Sequence, residues 1–161
     1  AAVEAAKTKM AKDVASLGSQ LTEQSAHTAA ADWQASRHQA LPFFTENAQH
    51  KDLALWRFSV PQTAPVLNLP DTVSSPLIEW HGGQRWVWAP LSAAEALRRE
   101  VAAVGGQATL FKRPRQDSAA TKVSVPVFTP LDPVQQRIQQ ALKNEFDPAG
   151  LFGPRRLNVH F

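Results

Sequence analysis

Five histidines, His27, His38, His50, His81 and His160, are the side chains of this sequence best suited to proton or metal chemistry, and their spacing argues against both. None stands at metal-ligand spacing from another histidine or from a carboxylate, and no HExxH pair is present. No G-x-S-x-G elbow presents a serine nucleophile. His81-Gly82-Gly83 and Gly105-Gly106 are the glycine-rich points. Neither has the strand–GxGxxG–helix setting that cradles a dinucleotide. Glu79 and Glu95 are the acids near the central apolar runs, and Glu95 falls in a helix cap, so no general acid–base pair is assembled. The sequence therefore predicts no catalytic residue and no metal ligand. Most of the histidines are expected at the surface.

Composition narrows the field further. The chain of 161 residues has no cysteine, which excludes a disulfide scaffold, a thiolate zinc site or an iron–sulfur cluster held by this chain. Its 17 basic and 14 acidic residues leave a net charge of +3. The tightest basic clusters are Lys112-Arg113-Pro114-Arg115 and Arg155-Arg156. With no aromatic interleaved, the first reads as a solvated loop, and nucleic acid is not expected as a partner. No apolar run approaches the roughly 20 residues of a membrane span. The opening AAVEAAKTKMAK has no initiator Met and starts already helical, so the chain is expected to be a piece of a longer polypeptide.

The elements that would position any site follow from periodicity. Val3, Ala6, Met10, Val14 and Leu17 recur at helical steps and end near Gly18, with Met10 expected in the core. A shorter helix is expected over Thr28–Arg37, with Ala30 and Trp33 inward. Leu53–Pro61 alternates, placing Leu55, Arg57 and Ser59 opposite Trp56, Phe58 and Val60, the pattern of a half-buried strand. PLIEW-HGGQ-RWVWAP reads as a hairpin in which Ile78, Trp80, Trp86 and Trp88 share a face, as sheet core rather than a stacking platform. Ser92 and Glu95 form the pattern of a capping box. The helix they open carries Ala94, Leu97, Val101 and Val104 inward and closes at Gly105-Gly106. Gln107–Lys112 is a strand. Val123–Phe128 is an edge strand or none, because Pro126 lacks a donor. Asp132-Pro133 opens a last helix with Val134, Ile138, Ala141 and Leu142 inward. Asp147-Pro148-Ala149-Gly150 suits a type I turn that folds Leu151 and Phe152 back on the domain as a clasp. The class is α+β, a ferredoxin-like antiparallel sheet with helices packed on one face, truncated at its N-terminal strand. One domain, 1–161, is expected, with 1–40 as helical lead-in and 146–161 as the clasp.

The ordered set LPFF (41–44), LALWRFSVPQTAPVLNLP (53–70), LIEWHGGQRWVWA (77–89), GGQATLF (105–111) and FDPAGLFGPRR (146–156) resembles the C-terminal cap region of the FAD-binding subunit of bacterial glycolate oxidase, an FAD-linked oxidase. The resemblance implies FAD held mainly by an N-terminal domain outside this chain. It implies an enzyme that oxidises a 2-hydroxy acid to the 2-oxo acid, with the fragment alone inactive. A second flavoprotein subunit and an iron–sulfur subunit are the implied partners. A cytoplasmic location follows, peripheral at the inner membrane through those subunits. Relatives close on DPxGxxNPG(R/K). Here Asp147, Pro148 and Gly150 match and Pro154 and Arg156 fit, while Gly153 replaces Asn and Arg155 replaces Gly. By this resemblance Gly153, Pro154 and Arg156 are the cofactor-facing residues, with Arg155 and Arg156 exposed in this chain. The His and acidic cluster of catalytic caps has no match, which favours a supporting role. The alternative is a non-catalytic module that binds other subunits through its sheet edge and Trp-rich hairpin.

Overall fold

The structure, a computed structural model, describes residues 2–45, 50–114 and 124–153. It divides into two compact units, Ala1–Thr45 and Glu46–Phe161. The first holds α1 (Ala2–Ser16) and α2 (Ala26–Arg37). Gly18, at φ +69°, follows the end of α1. Ser25 caps α2, its hydroxyl accepting from Thr28 N at 3.1 Å. Neither helix buries a residue. Met10 is more than half exposed and Trp33 is 77% exposed, so the inward stripes expected for these helices are not buried. Trp33 is the one large apolar residue on α2, too little to form a core of its own.

The second unit is built on a four-stranded antiparallel sheet: β1 (Ala54–Ser59), β2 (Leu77–Glu79), β3 (Gln84–Ala89) and β4 (Gln107–Lys112), in the order β2-β3-β1-β4. β1 pairs antiparallel with both β3 and β4. β3 and β4 therefore run parallel on either side of it, joined by α3 (Ala94–Ala103), which is a split β-α-β unit. With α1, α2 and the last helix, α4 (Pro133–Phe146), this is the α+β arrangement read from the sequence. α3 lays Ala94, Leu97 and Val101 onto Trp56, Phe58, Val87, Ala89, Ala108 and Leu110, which form one buried cluster. The turn from α3 into β4 comes so close to the end of β1 that a Cβ on Gly106 would lie 2.6 Å from Ser59 O.

Three local expectations are corrected. The capping box does not form. A single 3-10 turn, Leu91–Ala93, precedes α3 and takes in Ser92, so Ala93 occupies the cap position without a side-chain hydrogen bond. In the hairpin Ile78 pairs with Arg85 and Leu77 with Trp86. A four-residue turn separates Glu79 from Gln84, and an even-length turn puts Ile78 on the face opposite Trp86 and Trp88. Trp80 lies in the turn itself. The stripe of α4 is not buried either: Val134, Ile138 and Leu142 are each more than half exposed. Its start is as expected, Asp132 Oδ1 accepting from Val134 N and Gln135 N with Pro133 in the first turn. Residues 124–129 form no strand. Val127 O nevertheless accepts from Leu110 N at 2.8 Å, and Val125 is buried in the core cluster.

Candidate functional site at the hairpin turn and the second face of the sheet

The sheet is buried on both sides near its middle. The face turned away from α3 carries Leu55, Arg57 and Ser59 from β1, Gln84, Trp86 and Trp88 from β3, and Thr109 and Phe111 from β4. Leu55, Trp86 and Trp88 are buried there, although they lie outside the cluster under α3. The second face of β1 thus runs from the buried Leu55 through the half-buried Arg57 to the exposed Ser59. His50 stacks on Trp88, with ring centroids 4.8 Å apart and planes 7° from parallel, so it is not a plain surface histidine. Trp86 meets Phe111 edge to face at 4.9 Å.

Hydrogen bonds order part of the polar half of this face. Glu79 Oε2 accepts from Trp86 Nε1 at 2.7 Å and from Gln84 Nε2 at 2.9 Å, so one carboxylate fixes the buried indole and the first residue after the turn. Arg57 sits opposite Trp86 on one side and Thr109 on the other. It is half-buried and meets no carboxylate among the described residues. Beside it lies a concavity of about 390 Å³ lined by Arg57, Ser59, Gln62, Trp80 and Gln84. The turn that forms its rim is strained: Trp80 and His81, neither of them glycine, lie at φ +52° and +53°. Gly83 N donates to Trp80 O at 3.0 Å and Arg85 Nε to Gly82 O at 3.1 Å, which holds the turn in place.

Arg85 is buried and serves the fold. Besides Gly82 O it donates to Pro65 O and Ala64 O, each at 2.7 Å, tying the proline-rich connection between β1 and β2 to the sheet. A second concavity of about 490 Å³ lies between that connection and the sheet, bounded by Phe58, Leu67, Val73, Ile78 and Arg85. Among the described residues, no cluster of three His, Cys, Asp or Glu side chains has the arrangement to hold a metal ion.

The C-terminal turn is built differently from expectation. Gly150 N donates to Asp147 O at 3.0 Å, which closes the turn after α4. Leu151 and Phe152 are 73% and 72% exposed, so they do not fold back into a core. The anchor is polar. The Asp147 carboxylate takes an ion pair from Lys143 and hydrogen bonds from Leu151 N at 2.8 Å and Phe152 N at 2.9 Å, while Lys143 Nζ also donates to Phe152 O at 2.7 Å. The hydrogen bond from Lys143, with those from Phe152 and Leu151, holds the Asp147 carboxyl down to about 2. Gly153 follows at φ +54° with open space about it. Pro154, Arg155 and Arg156, the rest of the cofactor-facing stretch, lie outside the described residues.

Sequence reasoning did not single out Arg57 and took Trp80 only as one residue of the Trp-rich hairpin. The signal for Arg57 was a cation set between two buried aromatics in LWRFS; nothing in the sequence announced a strained turn at Trp80.

No family model matches the chain. The glycolate oxidase subunit GlcE of Escherichia coli (strain K12) is 36% identical to it over 127 residues, 78% of this chain. The chain is similar to a glycolate oxidase subunit. This similarity bears out the resemblance to the glycolate oxidase subunit read from the sequence. The matched part is 30% of the length of GlcE, so this chain corresponds to a part of such a subunit. No solved structure matches.

Proposed function

We propose that this chain is the C-terminal, cap-like domain of the FAD-binding subunit of a glycolate oxidase. The 36% identity to GlcE is the observation that carries this reading. In it the intact subunit belongs to a flavin-dependent complex that oxidises a 2-hydroxy acid to the 2-oxo acid. FAD is held mainly by an N-terminal domain outside residues 1–161, and the ferredoxin-like sheet unit closes over it. The exposed turn from Phe146 to Gly153, continuing into Pro154 and Arg156, is the part of this chain directed at the cofactor. The full oxidase adds a second flavoprotein subunit and an iron–sulfur subunit. Its place is the cytoplasm, at the inner membrane through those partners. Among the described residues no helix is long and apolar enough to cross a membrane.

Two features support a role beside the flavin rather than a self-contained active site. The described residues present an ordered polar turn after α4 and a half-buried Arg57 without a carboxylate partner. The exposed stripe of α4 and the exposed Phe146, Leu151 and Phe152 are surfaces that a larger assembly would cover. That observation also favours a second reading, in which the chain only joins subunits. One experiment separates the two. The 161-residue chain and a polypeptide that includes the upstream region are purified, and visible flavin absorbance is measured in each. The short chain is expected colourless and the long one yellow, with flavin content falling when residues 146–161 are removed. A yellow 161-residue protein would overturn the division of labour. Unchanged flavin in the shortened polypeptide, together with loss of subunit assembly, would select the second reading.

A further inference from the structure

We infer that the concavity between the hairpin turn and the end of β1 is a docking socket for an acidic side chain of a partner protein, with Arg57 taking the carboxylate and Trp80 covering the apolar residues beside it. Arg57 is placed for this by the sheet. It lies on the central strand, and its backbone is fixed by pairing on both sides, to Trp86 and to Thr109. The residue is half-buried, and its side chain has no carboxylate partner among the described residues. Glu79, the acid at the end of β2, is committed to Trp86 and Gln84. Among the described residues, the other two buried or half-buried arginines of this unit are spoken for: Arg85 by three carbonyls and Arg98 by Pro126 O and Phe128 O. Arg57 thus offers a planar fork of donors into the concavity, and a carboxylate is the group that matches such a fork.

Trp80 decides what kind of molecule brings the carboxylate. Trp80 is 75% exposed, and its backbone is held at φ +52° next to a second left-handed residue. Strain of that kind survives where the surrounding structure over-determines it, and here the Gly83, Arg85 and Gln62 contacts to the turn do so. A free acid of two or three carbons would occupy Arg57 but leave the indole in water. A protein chain presenting Glu or Asp between apolar residues covers both. Trp and Arg, which both line this concavity, are residue types enriched at the energetic centres of protein interfaces. The inference rests on the shape and charge of this concavity and not on the oxidase reading, so the two fail separately.

The test needs only the 161-residue chain, without flavin. The capped peptide Ac-Leu-Glu-Leu-NH2 is titrated while the indole N–H of Trp80 and the Nε–H of Arg57 are followed by NMR. Ac-Leu-Gln-Leu-NH2 and glycolate serve as the other two arms. Both signals are expected to shift to saturation with the Glu peptide and about tenfold more weakly with the Gln peptide. Glycolate is expected to move the Arg57 signal and leave Trp80 unmoved. Arg57→Gln and Trp80→Phe are each expected to weaken the Glu peptide, with the remaining spectrum unchanged as proof of folding. Equal affinity for the two peptides, saturation of both signals by glycolate, or full affinity in Arg57→Gln would overturn the proposal.

Discussion

Three arginines of the sheet unit show how one residue type is put to different uses by its surroundings. Arg85 is spent on the fold, because three loop carbonyls converge on it. Arg98 holds the segment after β4 through Pro126 O and Phe128 O, with its guanidinium 5.8 Å from the centre of the Trp56 ring. Burial lowers its pKa, though an arginine remains charged at any ordinary pH. Arg57 alone of the three makes no side-chain hydrogen bond to another described residue. Asp147 is the other residue whose environment dictates its role. Its folded pKa of about 2 lies below the ordinary value of 3.8. A depressed carboxyl stabilises the fold fully above the unfolded value, and that contribution is lost as pH falls through the folded one. The C-terminal turn is therefore expected to be intact at pH 5 and to open between about pH 4 and 2. NMR titration of the Asp147 carboxyl carbon should show a midpoint near 2, with the Leu151 and Phe152 amides shifting in step. A midpoint near 4 would mean that the turn does not hold its carboxylate.

At the scale of elements, burial separates α3 from the other helices. Leu97 is fully buried under the sheet, and Leu97→Ala is expected to cost about 2–5 kcal/mol. Ile138 on α4 is half exposed, and Ile138→Ser is expected to change stability by no more than about 0.5 kcal/mol. Urea unfolding of the two variants checks this; a large loss at Ile138 would mean that α4 is packed. The order of elements was legible in the sequence because each carries its own signal: alternation for β1 and β4, Gly82-Gly83 for the hairpin, and Asp132-Pro133 for the start of α4. What escaped was set by partners rather than by pattern. An amphipathic stripe states which side of a helix is apolar, but not whether anything covers it, so Met10 and Ile138 were expected inside. Turn parity escaped as well, since one residue of turn length decides whether Ile78 joins Trp86 or faces away from it. At the candidate site the conformation of Asp147-Pro148-Ala149-Gly150 was readable from residue types. Its anchoring by Asp147 and Lys143 depends on side chains four residues apart meeting in space.

At the scale of the whole molecule, the chain unites one compact sheet core with apolar surfaces that it does not cover itself: the stripe of α4, the exposed trio Phe146, Leu151 and Phe152, and the indole of Trp80. That distribution suits a part of a larger assembly, and the likeness to 30% of the length of GlcE points the same way. The most direct measurement of this account is glycolate-dependent reduction of an artificial electron acceptor by the oxidase assembled from its subunits. The assembly is prepared with the intact subunit and with one cut short before residue 1 of the present chain. The account predicts that the shortened subunit abolishes glycolate oxidation and loses flavin, and that the intact one restores both. Undiminished oxidation with the region removed would contradict it.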